Sequence, residues 1–145
     1  MAIINATLAA GSATSPYFYQ VNVTETLCKN SCSEATPDFK PVFALVNYAN
    51  VGKGQYVATV SCSGVICYIP CGGGACCTKS QLVSQLFTIP FYSEDAPESV
   101  LLTQGVSVNT ISVKGCQSCG NVFVSETPLS LDIVAAAAAS DGSTD

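Results

Sequence analysis

Apolar and polar side chains alternate with a period of two along most of this chain. Tyr17, Tyr19, Val21 and Val23 interleave with Phe18, Gln20, Asn22 and Thr24, so an extended backbone puts the first set on one face and the second on the other. Val and Thr, which are stiff at χ1, favour that backbone. The pattern predicts a half-buried strand, and it returns over 42–48, 55–62, 65–69, 100–103, 106–113, 121–125 and 129–134. Short strands separated by turn residues predict an all-β fold: an antiparallel sandwich or barrel, Ig-like or jelly-roll-like.

The turns fit this pattern. "ANVGKGQ" (49–55) places two glycines where a hairpin needs positive φ, and "VKGCQSCGN" (113–121) brackets its cysteines with Gly115 and Gly120. One stretch departs from the two-residue period. In "TKSQLVSQLFTIPF", Leu82, Val83, Leu86 and Phe87 fall at helical spacing behind a Thr78 or Ser80 cap, which predicts one short helix ended by Pro90. The ends are small and polar, as in "LAAGSATSP" and "VAAAAASDGSTD". They predict one β domain over 1–134, with 1–16 as an N-terminal arm and 135–145 as a flexible tail.

Composition narrows the function. The 145 residues are 48% hydrophobic but 10% charged, against about 25% charged in an average soluble domain, so the surface suits packing against other protein. The net charge is −5, arginine is absent, and the cations stand singly at Lys29, Lys40, Lys53, Lys79 and Lys114. A nucleic-acid backbone needs clustered cations, so nucleic acid is not an expected partner. Histidine is absent too, which removes the commonest general base and points away from catalysis. No run approaches the ~20 apolar residues that span a bilayer, and the N-terminus lacks the basic and apolar regions of a secretory signal. No membrane span is expected, the chain is expected either to be mature as written or not to use the general secretory route, and the sequons at Asn5 and Asn22 read as chance matches.

Nine cysteines stand in three groups: Cys28 and Cys32; Cys62, Cys67, Cys71, Cys76 and Cys77; Cys116 and Cys119. "KGCQSCGN" is a turn that aims two thiolates at one ion, and "LCKNSC" is a looser second turn, so Cys28, Cys32, Cys116 and Cys119 form a candidate structural zinc site. All four positions would be filled by protein, leaving no open coordination site for catalysis. Disulfides compete with this reading, because Cys62 and Cys67, or Cys71 and Cys76, flank short hairpin-like turns. A third reading leaves several thiols free as small hydrophobes in a β core. A redox role for Cys116 and Cys119 would need a helix N-terminus, and here the pair lies between strand patterns. Gly72, Gly73 and Gly74 form a flexible turn without the Lys-Ser/Thr of a phosphate loop. Glu94, Asp95 and Glu98 cluster in "YSEDAPES", which reads as a solvated loop before an acidic site.

The opening "MAIINATLAAGSATSPYFYQVNV" and the cysteine-rich middle together give the chain a general character that resembles the small auxiliary, or decoration, proteins on the heads of tailed phages, the crAss-like phages among them. The resemblance implies a non-enzymatic virion protein on the capsid exterior, assembled in the host cytoplasm in many copies. Its partner would be the major capsid protein or another virion protein, and it needs no cofactor beyond a structural zinc ion. The alternative is a secreted or surface-displayed β-sandwich adhesin or fibre subunit stapled by its cysteines. A thiol oxidoreductase using Cys116 and Cys119 is a third class.

Overall fold

The structure, a computed structural model, describes residues 2–9, 11, 14–27, 37–68, 79–112 and 121–135. The alternation becomes β1 (Ile3–Leu8), β2 (Tyr17–Leu27), β3 (Val42–Asn50), β4 (Gln55–Tyr68), β5 (Lys79–Tyr92), β6 (Pro97–Gln104), β7 (Val108–Ser112) and β8 (Asn121–Ala135). Two antiparallel sheets result, with no helix among the described residues. In the five-stranded sheet the order is β1–β2–β8, and β6 and β7 follow one another along the far side of β8. The other sheet is β3–β4–β5.

Three sequence expectations need correction. The helix expected from Leu82, Val83, Leu86 and Phe87 is strand β5, paired residue for residue with β4 from Gln55↔Tyr92 to Tyr68↔Lys79. Val83, Phe87, Ile89 and Phe91 turn inward while Leu82, Leu86 and Tyr92 turn outward, so burial of the odd-numbered set overrides the helical spacing. The segments 55–62 and 65–69, expected as separate strands, run through as far as Tyr68 as the single strand β4, because Ala58, Val60, Cys62 and Ile66 keep one inward phase, and 121–125 and 129–134 likewise join in the single strand β8. The arm expected over 1–16 contains β1, which pairs with β2 from Ile3↔Thr24 to Leu8↔Tyr19. Ser15 is also tied down: its Oγ donates to Asp132 Oδ1 at 3.0 Å and accepts from the Ile133 N–H at 2.8 Å.

Both sheets feed one core. Tyr17, Tyr19, Val21, Val23 and Leu27 of β2 and Phe123, Leu129 and Leu131 of β8 share it with the inward residues of β4 and β5. The segment before β3 crosses this core and depends on one glycine. A Cβ on Gly64 would lie 2.7 Å from the Phe39 ring and 3.2 Å from Pro41 Cα, so the bare backbone makes room for Phe39, which is 1% exposed. Phe39 then meets Phe123 of the opposite sheet edge to face, with centroids 5.9 Å apart. Asp38 and Cys67 exchange backbone hydrogen bonds at 2.9 and 2.8 Å beside it.

At the β3–β4 turn, Gly54 has φ +72° and packs under the Tyr92 ring, 2.6 Å from where a Cβ would stand. Of the two glycines in that turn, only Gly54 uses its conformational freedom.

Chemical denaturation tests the crossing. Phe39→Ala should lower stability by about 3–5 kcal/mol through an unfilled cavity. Gly64→Ala should lower it by about 1–3 kcal/mol through overpacking at the same contact. A Gly64→Ala protein as stable as wild type would contradict the packing described.

Candidate functional site

Cys62 and Cys67, expected to flank a hairpin turn, both lie on β4, one buried and one exposed, and both are free thiols. Five residues of strand separate them by roughly 17 Å and put them on opposite faces, far beyond the reach of a disulfide. Burial pushes the Cys62 thiol up to about 11, so at neutral pH it stays protonated and packs as a small core hydrophobe. Cys28, Cys32, Cys71, Cys76, Cys77, Cys116 and Cys119 lie outside the described residues. The strand ends that lead to them share one end of the molecule: Leu27 pairs with Asn121, Ser112 with Val122, and Tyr68 with Lys79. No group of three or more metal-ligating side chains occurs among the described residues. Glu94 and Asp95 occupy the exposed β5–β6 turn, and Glu98 lies on β6.

The edges of the three-stranded sheet carry more information. Pro90 has no N–H, so it cannot form a hydrogen-bonded pair with Val57 of β4, and its carbonyl therefore points to the free edge of β5. There it accepts the Tyr19 hydroxyl at 2.6 Å, and two residues on, the Tyr92 carbonyl accepts the Tyr17 hydroxyl at 2.8 Å. Tyr17 and Tyr19 are themselves two apart on the inward face of β2, so their spacing matches the edge they cap.

The other edge is closed by an amide. Gln104, at the end of β6, accepts from the Phe43 N–H at 3.1 Å and donates to the Pro41 carbonyl at 2.6 Å. Its side chain acts as the peptide unit of a neighbouring strand would. Side chains of the five-stranded sheet thus bond the backbone of both edge strands of the other.

Beside the tyrosine caps lies a cleft of about 560 Å³, lined by Tyr17, Tyr19, Tyr56, Phe91 and Tyr92 with aliphatic neighbours and the Gln55 amide. Tyr56 and Phe91 stack at 5.3 Å and 14°, and Tyr48 stands edge-on to both. None of the lining residues is charged, so the cleft offers apolar contact without an acid–base pair.

The outward face of β3–β4–β5 is set apart by its side-chain chemistry. Across these strands the only charged residue is Lys79, at the first position of β5. Val42, Val46, Val65, Leu82, Leu86 and Tyr92 stand exposed among Ser, Thr, Ala and Asn side chains. The five-stranded sheet differs, carrying exposed Glu126 and Asp132 on the outward face of β8. Sequence reasoning missed this face because it read β5 as a helix. The available signal was the alternate placement of Val83, Phe87, Ile89 and Phe91, which Gln85 interrupts.

Comparison with known proteins finds no matching family model, no matching curated protein and no matching solved structure.

The Tyr19 cap makes stability depend on alkaline pH. Burial, and secondarily the neighbouring Tyr17, push the Tyr19 hydroxyl up to about 12 from its ordinary 10.0. The unfolded chain therefore releases this proton first, and stability that is fully present below pH ~10 is lost as pH rises from there through about 12. Tyr19→Phe should cost about 0.5–1.5 kcal/mol at neutral pH by loss of the hydrogen bond. It should also flatten the decline above pH ~10 in urea titrations. An unchanged decline would contradict the assignment to Tyr19.

Proposed function

We propose that this chain is a non-enzymatic structural protein, an auxiliary or decoration protein that lies flat on the major capsid protein lattice of a virion. The observation that carries this reading is the uncharged outward face of β3–β4–β5. Cores of protein interfaces are depleted in charged residues, whereas a free domain surrounds itself with Lys and Glu. On this face Val and Leu supply apolar area, and Ser and Thr supply hydrogen bonds that need no desolvated charge. The Glu126 and Asp132 side would then face solvent on the capsid exterior.

In this reading the sheets form a sandwich whose sides are stitched by Tyr17, Tyr19 and Gln104, not a closed barrel. With β1 built into a sheet and Ser15 held on β8, the docking surface is the sheet face, and the N-terminal segment supports the fold. The open part of the β5 edge also suits the alternative, a cysteine-stapled surface adhesin or fibre subunit, whose neighbours join strand to strand.

Reconstitution on capsids of the encoding phage tests the choice. Wild-type protein should occupy the lattice. Val42→Lys combined with Val65→Lys should lower occupancy at least about tenfold by placing unpaired charge in the contact, with the fold retained. Glu126→Gln, on the opposite sheet, should leave it unchanged. Undiminished occupancy by the double variant would overturn the face as the docking surface, and assembly into fibres without any capsid would favour the alternative.

A further inference from the structure

The tyrosine caps stop at Pro90. Because backbone polar groups alternate sides along a strand, the same side of β5 that presents Pro90 and Tyr92 also presents the N–H and C=O groups of Ser80, Leu82, Ser84, Leu86 and Thr88. Among the described residues none of these ten groups, which face away from the β4 ladder, has a hydrogen-bond partner.

An edge of this kind is normally blunted by short length, charge, a bulge or proline. Here the strand is 14 residues long, pairs with β4 without a register shift, and carries no charge from Ser80 to Tyr92. Its proline stands at the capped end. Leu82 and Leu86 are the most exposed large apolar side chains on the outward face, at 71% and 62%.

The order of side chains says what fits there. Read along the edge, Ser80, Leu82, Ser84, Leu86 and Thr88 run hydroxyl, leucine, hydroxyl, leucine, hydroxyl, a pattern that is its own reverse about Ser84. Antiparallel pairing of β5 with a second β5 about a two-fold axis perpendicular to the sheet opposes residues on one face. Centred on Ser84, it sets Leu82 against the partner's Leu86, Ser80 against the partner's Thr88 and Ser84 against the partner's Ser84. Leucine meets leucine and hydroxyl meets hydroxyl, which are stabilising cross-strand pairs. In a chain of net charge −5, this edge lets two copies meet without opposing like charges.

We infer that this chain forms a two-fold dimer through the open edge of β5, joining two three-stranded sheets into one continuous sheet with Ser84 on the axis. About ten backbone hydrogen bonds would form along the shared edge. The dimer doubles the uncharged outward face without altering it, so it is compatible with docking of that face on a capsid, whereas closed two-fold pairing would occupy the edge through which a fibre subunit would grow.

Native mass spectrometry and sedimentation of the full chain test this. Wild-type protein should be dimeric at micromolar concentration. Ser84→Lys and Ser84→Glu should each weaken the dimer at least about tenfold, because two like charges then face each other across the axis. A one-to-one mixture of the two variants should restore a dimer that contains one of each. Val42→Lys, on the same face at the opposite edge, should leave association intact. A wild-type protein that stays monomeric, a dimer that Ser84→Lys leaves intact, or a mixture that fails to pair would each overturn the inference.

Discussion

Every N–H and C=O on a strand needs a partner, and a three-stranded sheet has two edges where β ladders cannot supply one. The way β3–β4–β5 meets that requirement organises the molecule. Tyr17 and Tyr19 reach from β2 to the carbonyls of Tyr92 and Pro90, and Gln104 reaches from β6 to Phe43 and Pro41. These bonds sit at the two margins of a core to which both sheets contribute. They position the smaller sheet on the larger one and leave its outward face free of supporting contacts.

Charge follows the same division. Among the described residues, exposed carboxylates lie on the five-stranded sheet, in the β5–β6 turn and at Asp38, which bridges to Cys67 just ahead of β3, whereas β3, β4 and β5 themselves carry none. Charge that would protect a face from association is withheld where strand edge and outward face are open, and apolar side chains stand there in its place. Burial raises the pKa of both the Cys62 thiol and the Tyr19 hydroxyl, so each is neutral in the folded protein at neutral pH.

Much of the fold was legible in the sequence because the inward phase of β2, β4 and β8 is written in Tyr, Val, Ile and Leu at alternate positions. Strand β5 was not. Leu82, Val83, Leu86 and Phe87 satisfy helical spacing locally, and only pairing with β4, distant in sequence, decides between the two periods. Strand β1 was obscured by its Ala, Asn and Thr content, which reads as a loose arm until β2 offers a ladder. The caps were harder still to foresee. That Tyr17, Tyr19 and Gln104 bond to backbone far along the chain depends on how two sheets are superposed, which alternation along single strands does not encode. The four-cysteine grouping lies outside the described residues, although the strand ends leading to it lie together.

The central claim is that side chains from one sheet substitute for missing strands at the edges of the other. Native-state amide exchange at Phe43 tests it most directly, since its N–H donates to the Gln104 side chain and faces away from β4. In Gln104→Met, which keeps the length and removes both amide bonds, Phe43 should lose at least about tenfold in protection while Val60, at the centre of the sheet, keeps its own. Equal protection of Phe43 in the two proteins would contradict the account.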